Sequence, residues 1–280
     1  MTDTRTFDSN AATGTPFGDL PEWNLSDLYT APDAPELTRD MAWLETECQS
    51  FASDFEGKLA DLDAAGLLNA VTRYEQIDVI AGRIMSYAGL RYYQHTTDPE
   101  RAQFMSNAQD KITTFTTPLV FYGLEFNRMD DAHVNALLTA NADLARYKPI
   151  FDRMRAMKPY QLSDELEKFL HDQSVVGASA WNKLFDETVA GLKFTVDGTD
   201  MGLEGVADLM SHPDRAKREA GVREMARVLG INATLFARIH NTLAKEKAIE
   251  DRWRGMPSPQ AERHLSNHVE AEVVDALRNA

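Results

Sequence analysis

The sequence predicts a mainly α fold, a multi-helix array carrying one small β-hairpin at about residues 192–202. Three observations predict it. Apolar residues recur at alternating steps of three and four along most of the chain, the spacing of one helix face. Asp, Ser and Pro stand where several of these periodic runs begin, as helix starts require. One short stretch, "LKFTVDGTDMGL", changes to a period of two around Asp197-Gly198, the signature of a tight hairpin turn. With 280 residues, 43% hydrophobic and 26% charged, the chain has the composition of a folded globular protein rather than a disordered one.

Residues 1–20 are rich in Thr, Asp, Gly and Ala without periodicity and read as a mobile leader; residues 21–280 read as the helical region. The helical region opens with "PEWNLSDLY", where Trp23, Leu25, Leu28 and Tyr29 offer apolar anchors around the cap residues Asn24 and Ser26. Tyr74, Ile77, Ala81, Ile84 and Ala88 then make one helical stripe. A longer stripe runs through Ala108, Ile112, Phe115, Leu119, Tyr122, Phe126 and Met129, after a start at Asp98-Pro99. Pro118 lies inside it, removes a backbone donor and crowds the preceding turn, so a kink is expected there.

Shorter amphipathic pieces follow in "DELEKFLHDQSV" and "SAWNKLFDETVAGL", separated by Gly177. In the hairpin, Leu192, Phe194 and Val196 alternate with polar residues. A further helical region starts near Pro213, with Val222, Met225 and Leu229, then Phe236, Ile239 and Leu243, as its apolar face. A last helix is expected from Ser258-Pro259, burying Ala261, Leu265, Val269, Val273 and Leu277. The sequence stops at Ala280 without a Gly stop signal or polar tail, which suggests an ending that is cut before a further domain.

Charge and cysteine content narrow the function. Twenty-nine Lys and Arg against 44 Asp and Glu leave a formal charge of -15, which repels nucleic acid and anionic membrane surfaces. No apolar run reaches the roughly 18–20 residues of a membrane span, and no secretory signal opens the chain, so a cytoplasmic location is expected. Cys48 is the only cysteine, which excludes an internal disulfide and any multi-cysteine metal cluster and marks it as packing material.

His264 and His268 stand four residues apart in "AERHLSNHVEAEVVDAL" and invite comparison with a zinc-peptidase helix. The H-E-x-x-H motif needs a glutamate beside the metal-bound water to accept its proton. Leu265 occupies that place, and a hydrocarbon accepts no proton. On a continuous helix His264, His268 and Glu272 would follow at i, i+4 and i+8, which leaves a weak metal site open beside the simpler reading of a solvated flank with Glu272 paired to His268.

The other histidines, His95, His133, His171, His212 and His240, are isolated, and no nucleophile elbow or phosphate-binding glycine motif occurs. Glu45 and Glu47 read as a solvated helix face. Arg252, Trp253 and Arg254 combine cations with an aromatic surface and suit recognition of a peptide carboxylate. Alternatively, Trp253 packs and the arginines pair with Glu250 and Asp251.

The words "EWNLSDLY", "SAWNKLFDETVAGLKFTVDGTDMGLEG" and "LAKEKAIEDRWRGMPSPQAERHLSNHVEAEVVDAL", taken in order from about Trp23 to Ala280, resemble the N-terminal part of the oligoendopeptidase F family of zinc metallopeptidases, which are thimet-oligopeptidase-like. The resemblance implies a largely helical region forming one wall of a deep channel that admits short peptides. It also implies that zinc belongs to the full-length family, held by an H-E-x-x-H helix and a later glutamate beyond the matched region. No catalytic, zinc-ligating or cofactor-binding residue therefore transfers to any position here, and the substrate-binding residues stay unassigned. The chain alone is expected to be catalytically incompetent and to bind no zinc. Its expected partners are short peptides, acting with a catalytic domain, and a second copy through an exposed C-terminal helix. Two competing readings stay open: a non-enzymatic helical module that binds a peptide or protein, and a metal-binding protein built on His264, His268 and Glu272.

Overall fold

A computed structural model describes residues 23–280. The proposed leader lies outside the described residues. In chain order the structure runs α1 (Pro35–Phe55), α2 (Ala64–Gln94), α3 (Pro99–Thr116), α4 (Val120–Arg128), α5 (Asp131–Ala140), α6 (Ala142–Ala145), α7 (Lys148–Ala156), α8 (Asp164–Gln173) and α9 (Ala178–Gly191). The hairpin β1 (Phe194–Val196) and β2 (Thr199–Met201) follows, then α10 (Leu203–Asp208), α11 (Arg215–Ile231), α12 (Ala233–Arg254), α13 (Ala261–Asn267) and α14 (Ala271–Asn279). The mainly α class with one small hairpin is as the periodicity predicts.

The large core lies among α1, α2, α3 and α4. Leu44, Cys48 and Phe51 of α1 meet Leu67, Ile77 and Ile84 of α2 and Tyr122 and Phe126 of α4, all fully buried or nearly so. Tyr74 stacks on Tyr122 with ring centroids 4.6 Å apart, and Phe126 stacks on Phe151 of α7 at 4.4 Å. Both stripes read from the sequence belong to this core: Ile77, Ile84 and Ala88 are buried in α2, and Tyr74 and Ala81 pack against them. The longer stripe divides where Pro118 stands, because α3 ends at Thr116, residues Thr117–Leu119 form a 3-10 turn, and α4 begins at Val120.

The first anchors are split. Tyr29 is buried and its hydroxyl donates to Asp40 at 2.8 Å, Leu25 and Leu28 pack against the core, and Trp23 is 60% exposed. Asn24 caps a turn, accepting from the Ser26 N–H at 3.0 Å, rather than a helix. Glu45 is solvated, but Glu47 is only half-buried because Arg73 reaches across from α2 and donates to it at 2.7 Å. Cys48 packs as expected, and burial followed by the charge of Glu47 pushes its thiol up to about 12.

A second, smaller core forms where the hairpin lies against α10 and α11, joining Phe194, Val196, Val206 and Val228. Phe194 pairs with Met201 and Val196 with Thr199, and Asp197 and Gly198 take φ of 52° and 78°, the left-handed pair a two-residue turn demands. Glu224 of α11 accepts the Thr195 N–H at 3.0 Å and fastens the strand to the helix.

Four expectations need correction. The α11 start is Arg215, capped by the Asp214 carboxylate accepting from the Ala216 N–H at 2.8 Å, so Pro213 precedes the first turn instead of occupying it. Within α11 the buried positions are Gly221 and Val228, and Val222 is 50% exposed. A Cβ at Gly221 would stand 2.9 Å from Leu209 Cβ, and this close approach turns the buried face one position away from the apolar stripe. Ser258-Pro259 lies in a turn, and α13 begins at Ala261.

The expected single last helix is also broken. His268 adopts φ 53° and ends α13, with the Val269 N–H donating back to His264 O at 3.1 Å, a six-to-one closure of the helix end. In place of one buried stripe, Leu265 and Val269 are half-buried while Val273 and Leu277 of α14 are 55% and 80% exposed. Among the described residues, no helix is long and apolar enough to cross a membrane.

Candidate functional site

A groove of about 1090 Å³ lies between α8, the start of α9 and α12. In α8 the steps Leu166, Phe169, Leu170 and Gln173 set one face of the helix toward the groove, with Leu162 just before the helix adding to it. In α12 the corresponding face runs Thr234, Arg238, Asn241, Lys245, Ile249 and Trp253. Val176 and Trp181, on either side of Gly177, close the floor where α8 passes into α9. The walls are apolar and open: Phe169 is 60% exposed, Val176 69% and Trp253 61%.

Helices α8 and α12 run antiparallel, because the end of α12 is tied to the start of α8 and its middle is tied to the α8–α9 bend. Arg254 donates through Nη1 to Glu167 Oε1 at 2.6 Å and through Nη2 to Glu167 Oε2 at 2.9 Å. Its Nε donates to Glu250 at 2.7 Å and its Nη1 also reaches the Tyr160 carbonyl at 3.3 Å. At the bend, Glu246 accepts the Ala178 N–H at 3.2 Å, supplying an anion to the first turn of α9. Burial alone would raise the Glu167 carboxyl, but the Arg254 guanidinium and the Leu162 N–H together hold it below the usual range.

The Arg252, Trp253 and Arg254 cluster is therefore divided by the helix. Arg254 is consumed by Glu167 and Glu250, Trp253 stands exposed in the groove, and Asp251 pairs with Lys247 at 2.8 Å instead of with an arginine. Of the two sequence readings, pairing is right for Arg254 and packing is wrong for Trp253. The groove's other side chains, Phe169, Val176, Arg238 and Lys245, were not singled out. A signal for Phe169 was present in the apolar face of "DELEKFLHDQSV", which has no partner adjacent in the sequence, whereas Arg238 and Lys245 carried none.

His264, His268 and Glu272 do not fit a zinc site. His264 sits in α13, His268 lies in the left-handed residue that ends it, and Glu272 belongs to α14, so the shared face required by the i, i+4, i+8 spacing does not exist. Among the described residues, no three His, Cys, Asp or Glu side chains converge as a metal-binding group. His171 instead contacts Thr116 Oγ1 at 3.2 Å, joining α8 to the end of α3.

The site is thus an open, largely apolar groove between helices, and among the described residues no metal-binding group is found. The N-terminal profile of a family described as Oligopeptidase F matches residues 125–194, a segment that includes α8 and α9. The chain is 22% identical over 263 residues to Group B oligopeptidase PepB of Streptococcus agalactiae, covering 91% of this chain and 43% of that protein. It is 23% identical over 273 residues to the plasmid oligoendopeptidase F of Lactococcus lactis, covering 94% and 45%.

In fold, the crystal structure of oligoendopeptidase F from Enterococcus faecium superposes with a TM-score of 0.77 at 20% identity, over 86% of this chain and 49% of that one. A putative peptidase from Chlamydophila abortus gives a TM-score of 0.56 at 15% identity, over 91% and 43%. The chain is homologous to the N-terminal region of the oligopeptidase F family. It spans less than half the length of the curated relatives it matches.

Proposed function

We propose that this chain is the channel-wall part of a zinc-dependent oligoendopeptidase that hydrolyses short peptides, with water activation supplied by a catalytic region outside these residues. The observation that carries the reading is the pairing of homology to the N-terminal region of oligoendopeptidase F with a groove of about 1090 Å³ walled by α8 and α12. Zinc chemistry belongs to an H-E-x-x-H helix, and the histidines at 264 and 268 flank Leu265 in its place. The wall's contribution is steric and apolar: a narrow extended chain can lie along the groove, and a folded protein surface cannot enter it.

The test is a quenched fluorogenic peptide of about ten residues, long enough when extended to reach along the groove, incubated with zinc and the pure chain. No turnover is expected from the chain alone, and chelator-sensitive turnover by it overturns the proposal. A second polypeptide carrying H-E-x-x-H, covalently fused after Ala280, is expected to restore hydrolysis. The non-enzymatic binding module is the second reading, favoured by the same groove, and it predicts that the fusion binds peptide without ever cleaving it.

A further inference from the structure

The groove has two unlike ends, and its polarity identifies what it holds. At the Trp253 end its lining is mostly hydrocarbon, from Leu166 and Ile249 as well as the indole, and the Glu250 carboxylate there is paired with Arg254. Away from that end α12 presents Arg238 and, about midway along the trough, Lys245, seven positions apart and so on one helix face; the neighbouring Glu246 carboxylate is taken up by the Ala178 N–H. Both cations are exposed, and among the described residues neither forms a salt bridge or donates a side-chain hydrogen bond. This sets them apart from Lys247 and Arg254 of the same helix, which are satisfied by Asp251, Glu262, Glu250 and Glu167. Two unsatisfied cations along the half of a largely apolar trough away from Trp253 are complementary to a ligand that is apolar along its length and anionic at its tip, and they set that half apart from a chain whose net charge of -15 otherwise repels anions.

We propose that the groove binds a short apolar peptide with its free C-terminal carboxylate held by Arg238 and Lys245 and its preceding side chains laid toward Trp253. The site deepens the channel-wall reading and rests on it for the class of ligand. Arg238 and Trp253 are fifteen positions apart on α12. That is about 22 Å of helix, so an extended peptide of about six residues fills the trough from anchor to indole. Gln173 and Asn241, both in the lining, are placed to take the peptide's backbone groups.

The probe is an N-terminally labelled apolar peptide of about six residues, made once as the free acid and once as the C-terminal amide, titrated against the intact chain by fluorescence anisotropy. The expected result is saturable binding of the acid, weakened at least about tenfold in the amide and by about as much in the double variant Arg238→Glu, Lys245→Glu. Both cations are exposed, so the double variant keeps its helical circular dichroism. Trp253→Ala is expected to weaken acid and amide alike, and added salt to weaken the acid alone.

Equal affinity for acid and amide, or an unchanged double variant, overturns the carboxylate anchor while leaving the channel-wall reading standing. Absence of binding to either peptide also overturns the anchor. So does light scattering that shows a second copy filling the groove, with dimerisation abolished by Trp253→Ala. Failure of the channel-wall reading is separate and appears only as hydrolysis by the chain alone or as an inert fusion.

Discussion

Arg254, near the end of α12, forms a bidentate ion pair with Glu167, 87 positions earlier in α8, with both partners mostly out of solvent at 12% and 14% side-chain exposure. One guanidinium thus fixes the width of the groove at its apolar end. Replacing Arg254 with Met leaves the Glu167 carboxylate half-buried and unpaired, and we expect a loss of about 3 kcal/mol in urea unfolding. In a double-mutant cycle, adding Glu167→Gln should recover most of that loss, and strictly additive effects would show the pair to be dispensable.

The same pair sets an acid limit. The folded-state pKa of Glu167 is depressed, so its contribution is fully present above the unfolded value of about 4.3 and disappears as pH falls through the lower folded value. Between pH 7 and 5 this pair adds no pH dependence, whereas below about pH 4 Trp253 fluorescence should report an opening of the groove. The Glu167→Gln variant is expected to lose that acid transition.

Gly177 marks a close approach at the other end. A Cβ there would stand 2.5 Å from Glu246 Oε1, the atom that accepts from the Ala178 N–H. Gly177→Ala should push the carboxylate aside and leave the first turn of α9 without its anion, costing about 1 kcal/mol in thermal or urea unfolding. An unchanged midpoint would mean that Glu246 re-forms the bond from another rotamer.

His268 spends conformational energy on ending α13, because φ 53° suits glycine and not a side chain with a Cβ. We expect His268→Gly to raise stability by about 0.5 kcal/mol. Zinc titration followed by calorimetry should give the same weak heats for both forms. Tight zinc binding that is lost in the variant would restore His268 as a ligand.

Cys48 should resist alkylation in the native chain at pH 8 and react once urea has unfolded it, since the thiol is fully buried and its pKa is pushed up to about 12. Rapid native labelling would place an opening at α1.

Local rules made most of the fold readable. Steps of three and four located α2 and α3, Asp98-Pro99 located a helix start, and Asp197-Gly198 located the hairpin, because each depends on residues within a few positions of one another. The candidate site was not readable in the same way. Its walls come from segments about eighty positions apart, and nothing local to "DELEKFLHDQSV" says that its apolar face meets α12 across a trough rather than sinking into a core. Trp253 shows the point from the other side: beside Arg254 it looks like packing, yet the pairing of Arg254 with Glu167 leaves the indole facing solvent. The end of α13 was misplaced for a different reason, since a left-handed histidine carries none of the usual stop signals of glycine.

The hairpin's small cluster of Phe194, Val196, Val206 and Val228 shares no buried residue with the large one. Between them, α8 and α9 contribute no fully buried residue and α12 only Ile239. Buried contacts are thus concentrated in two separate clusters, while α8, α9 and α12 are lightly held. Melting is expected to be two events rather than one, with amide protons along α12 exchanging before those of α2.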